Sequence, residues 1–269
     1  MNFSKYVGSG NDFIFIDNRS LTFLPERPLV SKLCHRQLGV GADGVILLEN
    51  SPSADFKMRI FNADGSEAEM CGNGIRCLFH FIQNTCPEEN RSSYLIETME
   101  SLLRIEAAQG GVKVEMPNPY DVKWGMKIDL LGEQPVHYLN TGVPHAIIFM
   151  EDLAYADLAC LAPKIRHHAA FGVKGTNVNF VALDQGDGEL SVRTYERGVE
   201  QETLACGTGV TASALAAAQI AGCASPIKVR TKSGEVLEIA FRVEDGMFRA
   251  VTMTGPARHV FSGQVPDWF

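Results

Sequence analysis

Apolar and polar residues alternate over short stretches of this chain, and the stretches recur in the same order. "FIFID" (13–17), "VILLE" (45–49) and "FKMRIFN" (56–62) predict strands, and "LVSKLCHRQLG" (29–39) predicts a helix between the first two. A further helix opens at residue 71. The Gly-punctuated run "LIETMESLLRIEAAQGGVKVEM" (95–116) then predicts hairpins. The second set is "AIIFM" (146–150), "LACLAPKIRHHAAF" (158–171), "NVNFVAL" (177–183), "LSVRTYE" (190–196), a helix from 206, and the β-rich stretch 227–253.

Five blocks match in order at an offset of about 134 positions, close to half the chain. They place Asn11 opposite His145, Gly41 opposite Gly175, Cys71 opposite Cys206, Thr98 opposite Thr231 and Met116 opposite Met253. The chain is therefore expected to be an internal duplication with domains at 1–118 and 119–269. The break falls in the proline-interrupted "PNPYDVK", and the last ten or so residues are expected to pack back on the first domain. The two helices that follow the cysteines are unusual. "CGTGVTASALAAAQIAG" (206–222) carries no charge, and "CGNGIRCLFHFIQ" (71–83) carries a single arginine. A helix that is apolar all round is buried all round. The expected fold is α+β: two pseudo-symmetric domains, each a curved mixed sheet wrapped around a central helix, with the helix N-termini opening on an active site in an interdomain cleft.

A net charge of -8 over 269 residues, without a basic stripe, argues against nucleic acid as a partner. No apolar run approaches the roughly 20 residues of a membrane span. The start "MNFSKYVGSGNDF" lacks a basic segment followed by an apolar one, so no signal peptide and a cytoplasmic location are expected. The seven cysteines are widely spaced and include no C-x-x-C pair, which favours free thiols and no structural metal.

Two cysteines have a context that packing does not require. Cys71 precedes Gly-Asn-Gly and Cys206 precedes Gly-Thr-Gly, each at a helix start. A helix N-terminus offers unpaired N–H groups and partial positive charge, and it favours a neighbouring thiolate. Glycines let a carboxylate approach that backbone closely. Two such ends around one ligand, with a sulfur on each face of its α-carbon, suit stereoinversion by two bases. One thiolate removes the α-proton and the opposite thiol supplies another. No pyridoxal phosphate site is recognisable.

These residues, with "GSGNDF", "GVGADG", "FNADGSEAEMCGNGIRC", "GTNVNF" and "YERG…ETLACGTG", resemble the diaminopimelate epimerases from the N-terminus to about residue 222. Proline racemases share the fold and the paired cysteines but usually carry "MCGHG". The resemblance implies cofactor-independent, metal-free epimerisation of LL- to meso-diaminopimelate, in lysine and peptidoglycan precursor synthesis. It makes Cys71 and Cys206 the acid–base pair, with Gly72, Asn73, Gly207 and Thr208 cradling the carboxylate. His145 and Glu196 would lie near the thiols. Asn11, Asn62, Asn177 and Arg197 would hold the substrate, with Arg197 on the distal carboxylate. The partner is then a small amino acid, and a homodimer is the candidate assembly. Two departures bear on the distal end. Val143 stands where the family has Asn before Pro-His, and Val199–Gln201 contributes one residue more than the family's usual pair. They imply either unchanged selectivity or a loosened one that admits glutamate.

Other readings stand beside this one: a PLP-independent racemase of another amino acid (glutamate or proline-type), a cysteine hydrolase with His145 as base, or a non-catalytic amino-acid binder. Facing thiols would also form a disulfide under oxidation. "GVGADG" fits the dinucleotide fingerprint by letter only, because a helical pattern precedes it and a strand follows. His167 and His168 are expected in solvent, and Cys34, Cys77, Cys86, Cys160 and Cys223 in packing. Arg76 is expected to meet an acid of its own domain, without a chemical role. Glu67 and Glu69 suit a helix N-terminus.

Overall fold

The computed structural model of the chain describes residues 1–99, 101–184 and 188–266. The first repeat runs β1 (Asn2–Gly8), β2 (Asn11–Asp17), α1 (Arg27–Cys34), β3 (Gly44–Glu49), β4 (Phe56–Asn62), β5 (Glu67–Ala68), α2 (Gly72–Thr85), β6 (Ser93–Glu97), β7 (Leu102–Ala108), β8 (Gly111–Glu115) and β9 (Tyr120–Met126). The second repeats the order: β10 (Val136–Asn140), β11 (Pro144–Phe149), α3 (Leu161–Arg166), β12 (Asn177–Leu183), β13 (Leu190–Glu196), β14 (Gln201–Thr203), α4 (Gly207–Ala221), β15 (Ile227–Arg230), β16 (Val236–Glu244), β17 (Met247–Gly255) and β18 (Arg258–Gln264).

The pairings repeat as well. β1–β2 is antiparallel, β2–β3 parallel, β3–β4 and β4–β5 antiparallel, β4–β6 parallel, and β6–β7 and β7–β8 antiparallel. β10–β11, β11–β12, β12–β13, β13–β14, β13–β15, β15–β16 and β16–β17 follow the same sequence of senses. The ninth strands break the correspondence between repeat and compact unit. β18 pairs antiparallel with β1, and β9 with β10. Met1–Val114 and the chain from Gly255 onward thus form one unit, and Glu115–Thr254 the other. Each repeat closes its own sheet except for its last strand, which completes the sheet of the other.

In the first unit, β3 is buried at every position. Both faces of its parallel pair with β2 are covered, which is why it reads as an unbroken apolar run. Ile14, Ile16, Val45 and Leu47 pack on Val30 and Leu33 of α1. The opposite face meets α2, where Phe15 and Phe81 lie with ring centroids 5.1 Å apart. The second unit repeats this layering. Ala146, Ile148, Val178 and Phe180 pack under Ala162 and Ile165 of α3, and α4 lies against β11, β12 and β13. Ten residues of α2 and ten of α4 are buried, so both are core helices.

The outer helices are shorter than the apolar pattern predicts. α1 stops at Cys34 because the chain folds back over it. Gly41 N–H donates to Leu33 O at 3.0 Å, and a Cβ on Gly39 would lie 2.0 Å from Lys32 O. In the second unit Gly175 (φ 64°) passes just as closely over Arg166 O, and α3 ends at Arg166. Among the described residues no helix is long and apolar enough to cross a membrane.

Candidate active site

In the first unit Cys71 is the N-cap of α2, with extended backbone (φ -140°, ψ 114°), and its Sγ accepts the Gly74 N–H at 3.4 Å. The first turn is glycine-lined for want of space: a Cβ on Gly74 would lie 2.6 Å from Ile46 Cδ1. Asn73, buried in that turn, donates through Nδ2 to Asn11 Oδ1 at 2.6 Å, and Asn11 Nδ2 donates to Asp43 Oδ2 at 3.0 Å. Asp43 and Asp12 share Arg36, and Asp12 also pairs with the buried Lys5 at 2.7 Å. Burial opposes ionisation of Asp12, but hydrogen bonds from Arg36 and Lys5 outweigh it and hold the carboxyl below its usual range. Arg76 is fully buried. It donates to Asn73 Oδ1 (2.9 Å), Gly72 O (3.0 Å), Ser9 Oγ (2.7 Å) and Pro256 O (3.4 Å). Rather than standing apart from the site, it fixes the amide orientation of Asn73 and, through it, of Asn11. Asn62 is exposed at the end of β4, where its Nδ2 donates to Ser66 Oγ at 3.0 Å within the "NADGS" turn.

In the second unit Cys206 is the N-cap of α4, and its Sγ lies 3.4 Å from Thr208 Oγ1. His145 on β11 has no exposed surface. Its Nε2 lies 3.0 Å from Thr208 Oγ1 and its Nδ1 3.1 Å from Asn179 Nδ2. Burial first, and the positive charge of Arg197 second, push the imidazole down to about 3. It is therefore a neutral hydrogen-bonding group. Asn177 donates to Pro144 O at 2.9 Å and accepts the Arg197 N–H at 2.8 Å, so both ends of its amide shape the backbone that carries Arg197. Among the described residues no hydrogen bond or ion pair engages the half-buried Arg197 guanidinium. Glu196 Oε1 accepts from Thr203 Oγ1 at 2.5 Å.

At the two departures, Val143 is half-buried and its carbonyl accepts the Thr141 N–H at 3.2 Å. Glu200 lies within the longer loop in left-handed conformation (φ 57°). It accepts Gly198 N–H at 2.9 Å and binds Arg166 Nη2 at 2.9 Å, which ties the loop after Arg197 to α3.

Within their own units the predicted residues group as follows. Cys71, Gly72, Asn73 and Asn11 are linked, as are Cys206, Thr208 and His145, while Asn62 bonds within its own turn. Asp43, Asn179 and Thr194 join these clusters without having been singled out, and Arg76 joins them although no chemical role was expected of it. The available signal was polar residues inside otherwise apolar runs, such as Asn179 in "NVNFVAL". Of the remaining cysteines, Cys34, Cys77 and Cys86 are buried, and burial pushes the Cys34 thiol up to about 11. Cys160 does not pack: it caps the short α3 at the surface and is exposed. His168 pairs with Asp129 at 2.7 Å, and His167 is exposed.

The family model described as "Diaminopimelate epimerase" matches residues 3–122 and 137–260. The diaminopimelate epimerase of Aquifex aeolicus is 42% identical over 281 residues, covering 99% of this chain and 98% of that one. That of Chlorobaculum tepidum is 40% identical, covering 96% and 98%. Among solved structures, a Bacillus anthracis phenazine biosynthesis protein of the PhzF family superposes with a TM-score of 0.75 at 17% identity, covering 99% of both chains. That likeness establishes the fold. The match of both repeats to one family model, and the identity to relatives over nearly the full length, place the chain in the diaminopimelate epimerase family of isomerases.

Proposed function

We propose that the chain epimerises LL-diaminopimelate to meso-diaminopimelate without a cofactor, with Cys71 and Cys206 as the two bases. The carrying observation is that each unit offers a half-buried cysteine as the N-cap of a buried helix whose first turn holds two glycines. In this reading the substrate carboxylate takes up N–H groups of Gly72–Asn73 and Gly207–Thr208, whose partial positive charge stabilises the enediolate-like charge that develops. One sulfur, as thiolate, takes the α-proton while the C–H electron pair moves toward the carboxylate. The other sulfur, as thiol, delivers its proton to the opposite face. Each turnover exchanges the protonation states of the two sulfurs and consumes nothing else. Arg197 supplies the bidentate partner for the distal carboxylate.

A second substrate, glutamate, is favoured by Val143, an apolar side chain at a position where the family carries an amide. The test is α-proton exchange in D₂O, followed by NMR under reducing conditions. LL- and meso-diaminopimelate, glutamate and proline are offered to the parent, Cys71→Ala and Cys206→Ala. Exchange with inversion of diaminopimelate in the parent, lost in both variants, is expected. Exchange surviving either cysteine loss would replace two-base chemistry with a single-thiol mechanism. Failure of glutamate to exchange would remove the second substrate and leave the first.

A further inference from the structure

Behind Cys206 the hydrogen bonds run in one direction. Thr194 Oγ1 donates to Asn179 Oδ1 at 2.9 Å, and Asn179 Nδ2 donates to Ala146 O at 3.1 Å; turned over, the amide would set its oxygen against the Ala146 carbonyl, which only accepts, and lose that bond. The same Nδ2 faces His145 Nδ1. An amide nitrogen donates only, so Nδ1 must accept, and the neutral imidazole carries its proton on Nε2. Nε2–H then donates to Thr208 Oγ1, which leaves the hydroxyl proton to face Cys206 Sγ. Space for this arrangement comes from Gly209, where a Cβ would lie 2.4 Å from Asn179 Oδ1 and 3.2 Å from His145 Cε1. The first unit is built differently. Asn11 and Asn73 occupy the positions of His145 and Thr208, and a backbone N–H of Gly74 addresses the sulfur.

We propose that Asn179 is a positioning residue: held by Thr194, it fixes the His145 tautomer, and thereby turns the Thr208 hydroxyl onto the Cys206 sulfur and favours its thiolate. A hydrogen bond to the charged form is what lowers a thiol's proton affinity. Of the charged groups on the neighbouring strands and turns, Arg197, in the turn after β13, is the one whose charge bears on His145. Arg197 opposes a second proton on His145 and so keeps the imidazole neutral as the relay needs. The assignment rests on the proposed function only for the use made of Cys206; the relay itself can be read without substrate.

The experiment uses the full reduced chain labelled with ¹⁵N-histidine. The parent is expected to show His145 protonated at Nε2, and protonation at Nδ1 would overturn the proposal without any variant. Asn179→Asp presents acceptor oxygens to Nδ1, so the tautomer should switch. Alkylation of Cys206, resolved from Cys71 by peptide mass spectrometry, should then move to higher pH by about one unit while that of Cys71 stays in place. The new carboxylate also adds charge, so the pair is repeated in a Thr208→Val background, where the relay is cut. There Asn179→Asp should leave the Cys206 profile nearly unmoved; a shift of the same size would assign the effect to charge through space and overturn the relay. A chain that shows the relay but does not exchange diaminopimelate would sink the proposed substrate and leave this inference standing.

Discussion

His145 ties its own ionisation to the stability of the fold. Its native value, held near 3 by burial and Arg197, lies below the roughly 6.5 of an unfolded histidine. Below about pH 6.5 the unfolded chain takes up a proton that the native state refuses until about pH 3. The stabilising contribution is therefore complete above pH 6.5 and declines as the solution is acidified. Urea unfolding at pH 7.5, 6.5 and 5.5 should show the parent losing up to about 1.4 kcal/mol per pH unit more than His145→Gln. Equal slopes would mean that His145 takes its proton in the folded state too. At Gly209, Gly209→Ala should cost about 1–3 kcal/mol through the displaced Asn179 oxygen, read as a lower urea midpoint with unchanged slope. These residues also show where sequence reasoning stopped. Cys71 and Cys206 stand out because the repeat sets them against each other, and His145 because it falls opposite Asn11. Asn179 and Thr194 look like ordinary strand residues, since their role depends on a hydrogen bond between neighbouring strands. Nothing in the sequence around Arg76 pointed to the carbonyls, the amide oxygen and the hydroxyl that its donors reach.

Among the elements, α4 beyond its first turn is held by packing. It carries no charge, and two of its buried hydroxyls are satisfied inside the helix: Thr211 Oγ1 bonds to Gly207 O at 2.9 Å, and Ser213 Oγ to Gly209 O at 2.7 Å. Leu215 is fully buried, and in a close-packed interior its truncation leaves a void. Leu215→Ala should lower stability by about 2–5 kcal/mol in urea titration; a loss below 1 kcal/mol would mean the helix collapses onto the space. In the loop between β13 and β14, the Glu200 carboxylate binds Arg166 and accepts the Gly198 N–H. Glu200→Ala should release the segment after Arg197 and raise KM several-fold with a smaller change in kcat, and an unchanged KM would separate the loop from substrate binding. The strands β2, β3, β4, β11, β12 and β13 were legible from their residues, whereas β1 and β10, which precede each set, went unread although both are largely buried. β9 and β18 were not legible, because they are exposed at most positions and show no apolar face to find. α1 was read too long because apolar periodicity continues into a segment that doubles back over the helix end.

At the scale of the molecule, chain order and compactness disagree, and the disagreement can be tested. Met1 N lies 2.8 Å from Val265 O, so the start of β1 adjoins the end of β18. A circular permutant that joins the two ends of this chain through a short glycine-serine linker and opens at Asn118 makes both compact units continuous in sequence but for the few residues from Glu115 to the new opening. It should unfold in one transition at a midpoint close to the parent's. Ending the chain at Pro256 should instead expose the β1 edge and promote aggregation, as seen by light scattering. The exchange of ninth strands also bears on how two unlike sites arose from one motif. A chain of a single repeat would close only by trading its last strand with an identical copy. In such a pair every substitution appears at both sulfurs at once, and neither can be tuned apart from its twin. Covalent tandem arrangement lifts that constraint: histidine and threonine at one thiol, and two asparagines at the other, are differences that a fused pair can inherit.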